Sequence, residues 1–217
     1  VSHYRDEITH WEVWNEPYGA LRPDQADTYV RLLRTAYEAA KAADPEAVIV
    51  GTCGPPSAGY WYEPVFDAGG LQYQDAVSAH LYPPAGGEAV VDFDEELRKQ
   101  VAGIRALMRE HGEVKPLWDT EAGITPSTPF NELKHPRYFS TFGRPVPGDV
   151  ATDMAARLYI VHLAEDVRFF YYLLHGSYEY AYSLCENDGA PLPAAAAIAV
   201  AQSLLDGAEP VATVECG

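Results

Sequence analysis

The chain has 217 residues, 47% apolar and 22% charged, enough for one sizeable core and too polar for a bilayer-embedded protein. A balance of 32 acidic against 15 basic residues gives a net charge of −17, and such a surface repels phosphate backbones, which excludes nucleic acid as a partner class. No apolar run approaches the roughly 20 residues of a membrane-spanning helix.

Short apolar runs alternate with amphipathic stretches, the pattern of an α/β protein with parallel strands in a single domain over 1–217. A first strand is predicted near Ile8–Trp14, ending in the turn Asn15-Glu16-Pro17. A helix follows from about Asp24, its N-cap, with Tyr29, Val30, Leu33, Ala36, Tyr37 and Ala40 at helical spacing; Asp44-Pro45 ends it. Ala47–Thr52 reads as a second strand, then a Gly/Pro-rich loop leads into the aromatic segment Tyr60-Trp61-Tyr62. A third strand spans Ala76–His80. The next helix sets Phe93, Leu97, Val101, Ile104 and Met108 on one face, and Lys115–Glu121 forms a fourth strand.

A long loop, about Gly123–Gly148, has the length of a functional segment. Asp149 caps a helix to about Glu165, Arg168–Leu174 is a fifth strand, and Pro193–Leu205 a last helix. Cys53, Cys185 and Cys216 lie far apart with no CxxC pair, which argues against a zinc site and leaves room for one disulfide at most. A start at Val1 fits processing and truncation equally, so compartment is left open. Oligomeric state is open as well.

Chemistry concentrates where strands end: Trp14-Asn15-Glu16-Pro17, His80-Leu81-Tyr82-Pro83 and Asp119-Thr120-Glu121-Ala122-Gly123. In a βα barrel the strand C-termini converge on one face, where active sites are built. Period-two alternation puts Glu121 on the side of Asp119, Tyr82 with His80 and Ser78, and Glu16 with Trp14 and Glu12. Asp119 and Glu12 then fall deeper and need hydrogen-bond partners. Two carboxylates on one cleft suit glycosidic hydrolysis, one protonating the leaving group and the other attacking the anomeric carbon.

These residues, above all Trp-Glu-Val-Trp-Asn-Glu-Pro at 11–17, resemble the clan A glycoside hydrolases, closest in character to family 39-type and family 5-like enzymes. The resemblance implies a (β/α)8 TIM barrel acting with retention of configuration. It places Asn-Glu-Pro at the end of the fourth strand, with Glu16 as acid/base and Asn15 at the sugar 2-hydroxyl. The nucleophile at the end of the seventh strand maps to Glu121, and the His-x-Tyr of the sixth to His80 and Tyr82. The chain then corresponds to strands four to eight, a partial barrel, since a full one takes about 250 residues. The eighth-strand Trp that floors the sugar site has no counterpart in Phe169–His175, where Tyr172 and His175 are the candidate replacements.

Trp61 is a further substrate-binding candidate, with Tyr60, Tyr62, Tyr138 and Phe142 as other stacking surfaces, although 15 tyrosines would also furnish a packed aromatic core. Cys53 and Cys185 read as packed thiols. Glu186, Asn187 and Asp188 read as a turn. The expected partner is a poly- or oligosaccharide, with no metal and no organic cofactor. The alternatives are a carbohydrate-binding barrel without catalysis, or an accessory protein of polysaccharide assembly. A barrel lyase or aldolase would need a lysine at a strand end, and Lys115 begins its strand instead.

Overall fold

A computed structural model of the chain describes residues 1–83, 93–127, 146–175 and 182–211. Tyr138, Phe142 and Cys216 lie outside the described residues. The chain divides into two compact units, Val1–Leu81 with Arg98–Glu121, and Tyr82–Leu97 with Ala122–Gly217.

The first unit is built on strands β1 (His10–Glu12), β2 (Val48–Gly54), β3 (Ala76–Ala79) and β4 (Leu117–Ala122). They pair in parallel, with Trp11 opposite Ile49, Val50 opposite Ala76 and Val77 opposite Leu117. All four residues of β3 and six of the seven in β2 are buried, which is why both read as continuous apolar runs without alternation. Helix α1 (Ala26–Ala43) buries Tyr29, Val30, Leu33 and Ala40 at helical spacing. Enclosing Leu33 alone contributes about 1.5–3 kcal/mol. The helix starts two residues later than expected, because Pro23–Gln25 forms a 3₁₀ turn and Asp24 pairs with Arg22 at 3.1 Å.

Helix α2 (Ala58–Asp67) was not foreseen. Gly59 and Pro64 mask its periodicity, yet Trp61, Tyr62, Val65 and Phe66 are buried on one side. Trp61 is 0% exposed, and its indole N–H donates to the Thr52 carbonyl at 3.0 Å. The expectation that Trp61 presents a face to sugar is therefore corrected, since its ring is enclosed by core. Helix α3 (Phe93–Glu110) buries Phe93, Leu97, Val101, Ile104 and Met108, as the spacing predicted.

Between Gly51 and Gly54 the β2–β3 register shifts by one residue. This bulge places Thr52 and Cys53 in the left-handed region, at φ 77° and 44°. Four side chains fix it: Tyr29 accepts the Thr52 N–H (2.8 Å), Ser78 accepts the Cys53 N–H (3.1 Å), Trp61 holds the Thr52 carbonyl, and Thr52 bonds Gln74 (3.0 Å). Gly54 follows where any Cβ would collide with the Tyr62 ring.

In the second unit, two short strands, β5 (Pro126–Ser127) and β6 (Val146–Pro147), precede helix α4 (Gly148–Ala164). Pro147 rather than Asp149 occupies the N-cap. Strand β7 (Val167–Tyr171) follows, and α5 (Pro193–Leu205), bounded as predicted, packs against α4. In the first unit the sheet order is β1-β2-β3-β4, the chain-order progression of a βα barrel segment. Among the described residues no helix is long and apolar enough to cross a membrane.

Candidate active site

The strand carrying Glu16 is shorter than predicted. β1 ends at Glu12, and Trp14 and Glu16 take left-handed conformations (φ 69° and 45°) before one 3₁₀ turn at Pro17–Gly19. Non-glycine residues held there cost on the order of 1–3 kcal/mol each, and such strain clusters at functional sites. The alternation expected to align Glu16 with Trp14 and Glu12 is broken by this backbone. Glu12 is exposed and accepts the Thr120 hydroxyl at 2.9 Å, so it is not the buried carboxylate the alternation implied.

His80 directly follows β3, its N–H bonded to the Gly54 carbonyl at 2.9 Å. Its side chain is 2% exposed, with Nδ1 2.8 Å from Glu16 Oε1 and 3.9 Å from Glu121 Oε2. Glu121 is the penultimate residue of β4. Beneath it Asp119 is fully buried, and its Oδ1 accepts the N–H groups of Leu81 (3.2 Å) and Glu121 (3.4 Å). One donor atom each from Glu16, His80 and Glu121 fall within 4.8 Å of one another.

Two residues that sequence reasoning left out complete this arrangement. The Tyr18 hydroxyl donates to Glu16 Oε1 at 2.6 Å. Cys53, read as a packed thiol, is buried, but its sulfur also accepts the Glu16 N–H (3.2 Å), meets His80 Nε2 (3.3 Å) and reaches Asn15 Oδ1 (4.0 Å). Adjacency to Glu16 was the only sequence signal for Tyr18. Nothing local marked Cys53, which is 37 residues away.

The electrostatics follow from these contacts. The His80 hydrogen bond holds Glu16 below its ordinary carboxylate range against the opposing effect of burial, with help from Tyr18. For His80, burial disfavours the charged ring, but bonds to Cys53 and Glu16 and the charge of Glu121 prevail and push it to about 10. Tyr18 is raised, first by burial and then by Glu16. Burial likewise raises the Cys53 thiol. These directions favour an imidazolium at His80 hydrogen-bonded to the Glu16 carboxylate, beside a neutral Cys53 thiol.

The same three donors are the set a cation could use among the described residues. His80 is hydrogen-bonded to Glu16 at 2.8 Å, while Glu121 stands 3.9 Å from the same nitrogen, an ion-pair distance beyond hydrogen-bond length.

The structure therefore brings Asn15, Glu16, His80 and Glu121 together in the first unit. Tyr82 and Tyr172 belong to the second, where both rings pack against Tyr182, at 5.6 and 6.0 Å between centroids. His175 is exposed beyond β7. Glu186–Asp188 form a turn closed by Gly189 N–H on the Glu186 carbonyl (2.9 Å). Gly123, directly after β4, has no room for a side chain, because a Cβ would strike the Tyr172 carbonyl oxygen.

No family model and no curated protein matches this chain. Solved structures do. A glucosidase from Croceicoccus marinus aligns over 91% of this chain and 41% of its own, at 21% identity and TM-score 0.64. An alpha-L-arabinofuranosidase from Thermotoga maritima aligns over 87% and 38%, at 20% identity and TM-score 0.62. A family 128 endo-beta-1,3-glucanase from Amycolatopsis mediterranei aligns over 91% and 74%, at 15% identity and TM-score 0.60. The structural neighbours are clan A glycoside hydrolases, and the likeness is one of fold. The chain spans about two fifths of the length of the first of them.

Proposed function

We propose that this chain carries the catalytic pair of a retaining glycoside hydrolase acting on a poly- or oligosaccharide, with Glu121 as nucleophile and Glu16 as acid/base. One observation carries the reading: the two carboxylates approach within 4.8 Å of each other, both beside the same imidazole nitrogen, His80 Nδ1. Retaining enzymes hold their carboxyl groups about 5–5.5 Å apart, whereas inverting enzymes leave about 6.5–9.5 Å for a water.

In the first step Glu121 attacks the anomeric carbon as the glycosidic C–O bond breaks, and the leaving oxygen takes a proton from Glu16. In the second, Glu16 removes a proton from water, which attacks the same carbon and releases Glu121. Glu16 is ionised at rest, so its proton comes from His80 Nδ1, 2.8 Å away. Asn15 and, on the sequence resemblance, Tyr82, Tyr172 and His175 are the proposed sugar-binding residues; His80, expected from the sequence to bind sugar, is buried with both ring nitrogens engaged and acts through Glu16 instead.

The test is turnover of a panel of 4-nitrophenyl glycosides and oligosaccharides by the full chain, with the first-formed anomer identified by NMR. Retention is expected, with hydrolysis falling to background in Glu121→Gln. In Glu16→Gln the loss is expected at about 10²–10⁴-fold, and greatest for poor leaving groups. Inversion, or full activity in Glu121→Gln, would overturn the assignment. The ionised resting state of Glu16 favours a second reading, a carbohydrate-binding barrel without catalysis. That reading expects saturable sugar binding with no turnover.

A further inference from the structure

We propose that Cys53 is a positioning residue for the Glu16–His80 pair, holding one partner's backbone and the other's ring at a single sulfur. Its part in the reaction rests on the glycosidase reading; the pairing itself does not. The sulfur accepts the Glu16 N–H at 3.2 Å and lies 3.3 Å from His80 Nε2. The opposite ring nitrogen, Nδ1, faces Glu16 Oε1 at 2.8 Å. Cys53, His80 and Glu16 thus form one continuous line of hydrogen-bonding groups drawn from β2, the end of β3 and the turn after β1.

The backbone supports a role beyond filling space. A thiol that only packs needs no special conformation, whereas Cys53 sits in the β2 bulge at φ 44°, behind Thr52 at φ 77°. Bulges beside active sites re-aim side chains, and this one is fixed by Tyr29, Ser78, Trp61 and Gln74. A nucleophilic thiol is a poor alternative, because Cys53 is 0% exposed.

The proton accounting gives the sulfur its task. Among the described residues, the titratable groups facing His80 are Glu16, Glu121 and Cys53. In the imidazolium, Nδ1–H points to Glu16 and Nε2–H to sulfur, while the thiol hydrogen turns to Asn15 Oδ1. When the Nδ1 proton passes to Glu16, the ring is left neutral with its remaining hydrogen on Nε2, still held by sulfur, and Nδ1 accepts from the new carboxyl O–H. Cys53 therefore selects the tautomer in which Glu16 can be the acid.

The experiment is ¹⁵N-imidazole NMR titration of His80 in the full chain, for wild type, Cys53→Ala and Cys53→Ser, alongside kcat against pH on a 4-nitrophenyl glycoside. In wild type the neutral ring is expected to carry its hydrogen on Nε2, a result that needs no variant. In Cys53→Ala the proton affinity of His80 falls about tenfold, one unit on the pH axis, and the tautomer preference is lost. Cys53→Ser, which keeps an acceptor at Nε2, restores both. The alkaline limb of kcat moves with His80 while KM holds. A neutral ring protonated on Nδ1 in wild type, or an unchanged titration in folded Cys53→Ala, would overturn the proposal. If His80 responds as expected but Glu121→Gln keeps wild-type turnover, the glycosidase reading fails and the positioning stands.

Discussion

Replacing Tyr18 by Phe removes one oxygen atom and leaves the ring. That oxygen donates to Glu16 Oε1 at 2.6 Å, a short bond to an ionised acceptor. Hydrogen bonds to charged groups contribute about 1.5–3 kcal/mol. The Glu16 side chain is 38% exposed, so solvent screening selects the lower end, about 1.5 kcal/mol. That corresponds to a roughly tenfold rise in the proton affinity of Glu16. The sign also follows: a carboxylate held low by its donors contributes stability that is present above its unfolded value and lost as pH falls through the folded one. Tyr18→Phe should therefore shrink the acid-side loss of stability as well. The assay is a ¹³C-carboxyl titration of glutamate-labelled protein, with the Glu16 resonance assigned by its disappearance in Glu16→Gln. A midpoint that stays put or moves down in Tyr18→Phe would refute the reasoning, and with it the claim that donors rather than burial dominate at Glu16.

His80 makes the opposite linkage. Its folded value is raised to about 10, so its contribution is full below about 6.5 and fades as pH rises through the folded value. The urea midpoint of wild type minus that of His80→Phe should thus narrow between pH 6 and pH 10; a constant difference would count against the imidazolium. Trp61→Ala should cost about 3–5 kcal/mol, as a large core side chain does, read by urea unfolding, and saturating sugar should raise wild type and variant by the same amount; a loss below 1 kcal/mol would contradict the enclosed ring. Asp119→Ala strips the acceptor from the Leu81 and Glu121 amides and should destabilise by about 1–3 kcal/mol, with Asp119→Asn losing less.

Much of the architecture is readable from local pattern. The α1 stripe at Tyr29, Val30 and Leu33, the α3 stripe from Phe93 to Met108, and the bounds of α5 follow from helical periodicity alone. The strand runs at Val48–Gly54 and Ala76–Ala79 stand out because buried parallel strands carry no polar alternation. α2 escaped because Gly59 and Pro64 look like loop residues, and only the burial of Trp61 and Tyr62 beneath β2 makes that segment helical. The same burial removes Trp61 from any sugar-facing role.

Glu16, His80 and Glu121 were legible as strand-end residues, since each sits in a motif written within a few positions. Their mutual distances were not. Period-two alternation, extended through Trp14 to Glu16, gave the wrong neighbours, because left-handed backbone at both residues interrupts the strand. Cys53 and Tyr18 show the limit most clearly: one reaches the site through a bulge that depends on four side chains elsewhere in the chain, the other through a single 3₁₀ turn. Sequence alone determined the elements and the chemical types at their ends, because periodicity and short motifs are local. Tertiary structure alone decided that residues 16, 53 and 80 join one line of hydrogen-bonding groups with residue 121 beside it, because that depends on strand register, and register is set by the packing of the whole sheet.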